Sequence, residues 1–158
     1  MKNACVAMVA LCVAAVPLGC VDPPPEGSAP PGALITPRQA WRAYGDLREA
    51  SKAVDGDLWT AAASSGTYPN ATIELDLGKL CLFNRIMVEH GPDEYGFPNR
   101  MAVYTSQDGQ SFQLQCEVPG KRRVTNALLI TPVLARYVRL VAVSPGSRPW
   151  SVAEIVIH

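Results

Sequence analysis

An all-β fold, an antiparallel β-sandwich of jelly-roll type, is what this 158-residue sequence predicts. Three observations predict it. Short apolar runs recur at a spacing of roughly 8–12 residues, the rhythm of sandwich strands. Glycine and proline, 12 and 14 of them, punctuate those runs. Helical periodicity is absent beyond one short stretch at Leu47–Lys52. Stacking two sheets in this way also covers most strand edges.

Taken in chain order, Trp41–Tyr44 reads as a short opening strand. Ala71–Leu77 alternates with period two, which sets Ile73, Leu75 and Leu77 on one face. Cys81–His90 carries Leu82, Ile86 and Val88, and Asn99–Ser106 carries Met101, Val103 and Thr105. Gln107-Asp108-Gly109-Gln110 is a hairpin turn, with Gly109 free to take the positive φ that such turns require. Further strands fit Ser111–Val118, Val124–Thr131, Ala135–Val143 and Val152–His158.

The first residues read as export machinery. Met1-Lys2-Asn3 is a basic start, and Ala4–Leu18 is apolar and uncharged, so residues 1–19 have the form of a signal peptide. The stretch ends Val16-Pro17-Leu18-Gly19-Cys20, which resembles a bacterial lipobox, with Pro17 where that motif usually has an aliphatic residue. The resemblance implies cleavage before Cys20, lipidation of its thiol, and a lipid-anchored protein of the bacterial cell envelope. Val21 at the second mature position favours the outer membrane or cell surface. Residues 20–36, with Pro23-Pro24-Pro25 and Pro30-Pro31, read as a polyproline-rich tether. Residues 37–158 then form one domain.

Composition narrows the function. Fourteen basic and fourteen acidic residues cancel, and no dense basic run appears, which argues against nucleic acid as a partner. There are two histidines, His90 and the terminal His158, and no Ser/His/Asp or Cys/His arrangement or phosphate loop. The expectation is a non-catalytic binding module. Of five cysteines, Cys5 and Cys12 leave with the leader and Cys20 is the lipid site. Cys81 and Cys116 remain, either as a disulfide in an oxidising compartment or as two buried thiols.

Five separated motifs carry a family resemblance. Ala53-Val54-Asp55-Gly56-Asp57-Leu58-Trp59-Thr60 is followed by Ile73-Glu74-Leu75-Asp76-Leu77-Gly78. Then come Val103-Tyr104-Thr105-Ser106-Gln107-Asp108-Gly109, Ala135-Arg136-Tyr137-Val138-Arg139-Leu140 and, at the end, Ser151-Val152-Ala153-Glu154-Ile155. Their order over residues 38–158 resembles the discoidin, or coagulation factor V/VIII type C, domain, a galactose-binding-like β-sandwich used for binding.

The resemblance implies two sites. Where such modules hold a structural calcium, the matching ligands are Asp55 or Asp57, Thr60, Glu154 and the carbonyls of Lys52 and Ala153. Mixed carboxylate and carbonyl oxygens suit that hard cation. The alternative is a tight turn whose aspartates bind its own amides, with Glu154 paired to an arginine such as Arg139. The second site is expected in the loops His90–Arg100 and Ser144–Trp150. Tyr95, Phe97 and Trp150 offer stacking faces for a sugar, and His90, Glu94, Asn99 and Arg100 offer hydrogen bonds. Trp41, Trp59 and Tyr68 read as packing residues. A galactose-like or cell-envelope glycan is the expected ligand, with a surface or envelope protein as the alternative partner. Membrane contact through Phe97 and Trp150 is a third reading.

Overall fold

The computed structural model describes Ile35 and residues 38–158. The leader, Cys20 and the rest of the tether lie outside the described residues. Ile35 corrects the domain boundary, because it is 1% exposed in the core and its amide donates to Ile157 O at 3.0 Å. The fold therefore begins before residue 37.

The described residues form eight strands: β1 Arg42–Gly45, β2 Ala62–Ala63, β3 Ala71–Glu89, β4 Arg100–Ser106, β5 Gln113–Pro119, β6 Val124–Ser144, β7 Ser151–Val152 and β8 Glu154–Ile157. Leu47–Lys52 is no α-helix; the helical turn there is a 3-10 turn at Ala50–Val54.

The two pairs of expected strands in residues 71–90 and 124–143 are in fact two long, bent strands. β3 and β6 pair in three runs, 71–76 with 137–142, 81–83 with 133–135 and 85–89 with 124–128. Between these runs the register slips, at Asp76/Cys81 and at Phe83/Arg85. Gly78 sits in the first break with φ +78°, a backbone that few side chains tolerate. The breaks fold the ribbon over itself. One half lies in a five-strand layer, β1-β3-β6-β4-β5, and the other pairs with β8 in a three-strand layer.

The layers face each other through one apolar cluster. Ile73, Leu75, Val138 and Leu140 come from the larger layer, and Ile86, Val88, Ala127, Ile155 and Ile157 from the smaller. Phe83 is the largest wholly buried side chain. Fully burying such side chains contributes ~1.5–3 kcal/mol each. On the larger layer, Glu74 accepts from Tyr44 Oη at 2.7 Å and from Arg139 Nε at 2.6 Å. Arg139 is thus the partner of Glu74, not of Glu154. Arg136 grips Asp76 through two bonds of 2.7 and 2.8 Å. A carboxylate gripped in this bidentate way stays ionised, and its pKa is held below the usual carboxylate range by that guanidinium.

The expected disulfide is not present. Cys81 on β3 and Cys116 on β5 are both free thiols. Sheet order places β6 and β4 between their strands. Three inter-strand steps of ~4.7 Å far exceed the ~7 Å that a disulfide can span between Cα atoms. Burial raises the pKa of both thiols.

Candidate binding site at the loop rim

The acidic turn and the C-terminal strand do meet. Gly56 N donates to Glu154 Oε2 at 2.8 Å, and the β2–β7 ribbon pairs Ala62 with Val152 beside it. The loop after β3 is pressed onto the same rim. Gly91 has φ +65°, and a Cβ there would meet Ala153 Cβ at 2.4 Å and Leu58 O at 3.0 Å. No other residue type fits where this loop crosses both segments.

Within the acidic turn the oxygens are already engaged. Asp55 accepts from Asp57 N at 2.9 Å and from Thr60 Oγ1 at 2.7 Å, contacts that hold its carboxyl below the ordinary range. Asp57 accepts from Trp59 N at 2.9 Å. Glu154, 4% exposed, forms an ion pair with the Arg38 guanidinium, which also donates to Ile155 O at 3.1 Å. Lys52 lies on the 3-10 turn, and Ala153 N bonds Glu89 O at 2.8 Å. Among the described residues, no group of three or more acidic, histidine or cysteine side chains converges as a metal set. The calcium arrangement expected of Asp55, Asp57, Thr60 and Glu154 does not fit these contacts, because a guanidinium already neutralises the buried carboxylate.

His90 is a second correction. It is wholly buried, with Nδ1 2.7 Å from Ser151 O and Nε2 2.8 Å from Thr125 Oγ1. A carbonyl can only accept, so these partners assign the proton to Nδ1, and Nε2 accepts from the threonine hydroxyl. Burial lowers the imidazole pKa and keeps it neutral. His90 is therefore a clamp between β3, β6 and β7, out of reach of a ligand. Trp150 is also core, at 3% exposure, with its backbone amide on Ser64 Oγ at 2.8 Å. Phe97 is half-buried, its ring centroid 6.0 Å from that of His90. Asn99 donates to Pro145 O at 2.7 Å and joins the two loops, and Arg100 pairs with Glu117 on β5.

Asn99 and Arg100 stay at the surface but are tied to Pro145 and Glu117, whereas Glu94 lines a hollow, with Tyr95 next to it in the chain, together with residues outside the two expected loops. Trp59 is 85% exposed at the tip of the acidic turn, a correction to its reading as a packing residue. With Leu58, Glu89, Pro92, Glu94 and Arg123 it lines a hollow of about 340 Å³. Beside the hollow, Tyr95 lies between the guanidinium groups of Arg122 and Arg148, at 4.7 and 5.5 Å from its ring. Arg122 pairs with Glu94 at 2.6 Å and Arg148 with Asp93 at 3.0 Å, which fixes that aromatic edge. A larger hollow of about 520 Å³ sits at the other end, by the Gln107–Gly109 hairpin. Its lining holds no aromatic face, and its one carboxylate, Asp108, is consumed by the amides of Gln110 and Ser111. The rim is the better binding geometry.

One signal for these residues is in the sequence: alternation from Val88 puts Glu89 on the outward face.

Comparison with known proteins agrees with this architecture. The F5/8 type C domain model matches residues 35–155. No curated protein matches the chain. Among solved structures, CpGH89CBM32-5 from Clostridium perfringens, in complex with GalNAc-β-1,3-galactose, is similar at TM-score 0.71 and 19% identity, over 79% of this chain and 99% of that one. The family 32 CBM of C. perfringens NanJ, in complex with galactose, gives 0.67 and 20%, over 77% and 95%. Chitosan-binding module 1 of a Paenibacillus chitosanase/glucanase gives 0.63 and 21%, over 75% and 92%. With a family model spanning residues 35–155 and the two-layer β-sandwich in place, this chain belongs to the F5/8 type C domain family.

Proposed function

We propose that this protein is a non-catalytic carbohydrate-binding module that stacks its glycan on Trp59 in the rim hollow. The observation that carries the reading is an indole 85% exposed beside a hollow lined with both carboxylate and guanidinium groups. Leaving so large an apolar face in water has no structural return, whereas a pyranose C–H face covers it. The bound sugars named for the similar structures support a glycan as the ligand class.

Export and lipidation at Cys20 would place the module on the bacterial cell envelope. Ile35 enters the fold beside Ile157, at the end of β8 opposite to Glu154. A protein partner is the second reading, favoured by Leu128 and Ile130, which stand exposed on the outer side of β6.

A glycan array probed with the purified protein and with Trp59→Ala tests the proposal. Saturable binding that the variant loses supports it. Silence of the wild type across the array, or binding that is undiminished in the variant, overturns it.

A further inference from the structure

We infer that the rim hollow selects a sugar carrying a free amino group, with Glu89 as the carboxylate that holds its ammonium; this rests on the glycan-binding reading above. Glu89 ends β3, and the β3–β8 register sets it directly opposite Glu154. The buried residues Val88 and Ile155 alternate with them, so both carboxylates belong to the outer face of the smaller layer. Like charges directly opposed across strands destabilise a sheet. Only one member of this pair is compensated. Glu154 has Arg38 and the Gly56 amide, whereas the Glu89 side chain has no hydrogen bond or ion pair among the described residues.

The other charges of the rim do not relieve it. Glu94 takes Arg122 at 2.6 Å and Arg123 at 3.6 Å, Asp93 takes Arg148, and the acidic turn consumes its own aspartates. Arg123 is held at φ +69°, an unfavourable backbone for a side chain of its size, in the turn whose amide bonds Glu94 O at 2.9 Å. The hollow is thus left with one unpaired, half-buried carboxylate facing the same space as an exposed indole.

Those two groups are complementary to a cation on a ring. Indole is the best of the aromatic faces for a cation, and a carboxylate adds a charge-assisted hydrogen bond. A neutral sugar would use the stacking surface alone. An ammonium at the same place also removes the Glu89–Glu154 repulsion, so the protein gains on binding what it loses in the free state. A hydrogen bond to a charged group corresponds to ~10-fold or more in affinity.

The test is calorimetry on the purified protein with two probes, a glucosamine hexamer and an N-acetylglucosamine hexamer, at mildly acidic pH where the amine is charged. The expected result is a preference of ~10-fold or more for the free amine. Glu89→Gln should abolish that preference and, because it removes a like-charge pair, raise the melting temperature slightly. A merely structural Glu89 would lower the melting temperature and leave the preference intact, which sinks the inference. Equal binding of both hexamers, or binding only of other glycans lost in Trp59→Ala, also overturns it while leaving the module reading in place. Calcium chloride competing for Glu89 would make the carboxylate a metal ligand and likewise overturn it. No glycan binding of any kind removes the underlying reading itself.

Discussion

Gly56 and Glu154 are hydrogen-bonded at 2.8 Å although 98 residues separate them in the chain. On its other side the same carboxylate pairs with Arg38, which also sits 5.2 Å over the Trp41 ring. Three parts of the sequence therefore converge on one buried charge, and the cation among them is part of the protein.

That arrangement predicts independence from calcium. Melting curves of the wild type should be unchanged by added calcium or by a chelator. Arg38→Gln strands a buried carboxylate and should cost ~3 kcal/mol. Its melting temperature should rise again with calcium, because the freed Glu154 then lies beside the acidic turn. A wild type stabilised by calcium and not by magnesium would contradict this account.

The buried His90 predicts an acid sensitivity. Its folded pKa lies below the ordinary value of 6.5, with burial the principal cause. The unfolded chain therefore takes up the proton first as pH falls. Stability is complete above pH ~6.5 and declines below it, through the window down to the folded pKa. Urea unfolding at a series of pH values should show this slope, and His90→Gln should flatten it. The same variant should reduce stability at neutral pH, with sugar affinity in the folded fraction intact.

Trp59 and Trp150 should behave as opposites. Trp59→Ala removes a solvent-facing ring, so glycan affinity should fall by ~10-fold while the melting temperature stays put. Trp150→Ala hollows the core and should cost ~3–5 kcal/mol. Parallel binding and melting measurements on the two variants check this; equal effects of both on stability would refute the assignment.

The two domain thiols should titrate separately in the folded protein. Cys116 on the edge strand β5 is partly exposed, and Cys81 is buried at β3. A thiol reagent should label Cys116 first and Cys81 only on unfolding, and a reductant should leave the melting curve of the domain where it was.

How far the sequence could be read follows from what each signal measures. Alternation at Ile73, Leu75 and Leu77 reports burial on one face, and all three are buried. The Gln107–Gln110 turn chemistry was legible because Gly109 takes φ +75° between β4 and β5. The fusion of neighbouring strands into β3 and β6 was not, since a register slip leaves Gly78 as its only local trace. At the rim, residue type was a poor guide. A histidine and a tryptophan that could serve a sugar are held inside by Ser151, Thr125 and Ser64, partners distant in the chain. The indole of Trp59 faces water, against the packing role that its sequence context suggests, because exposure depends on the path of the whole turn. Alternation sets Glu89 on an outer face, but its opposite number, Glu154, follows only from the β3–β8 register.

Because β3 and β6 run unbroken from one layer into the other, neither sheet owns its strands. Peeling one layer away would tear residues out of the second, so the domain should open in a single event, with its slowest-exchanging amides spread over both halves of these strands. The mouth around Trp59 is hung from that shared frame, and a ligand arrives at a surface already shaped for it instead of having to order one.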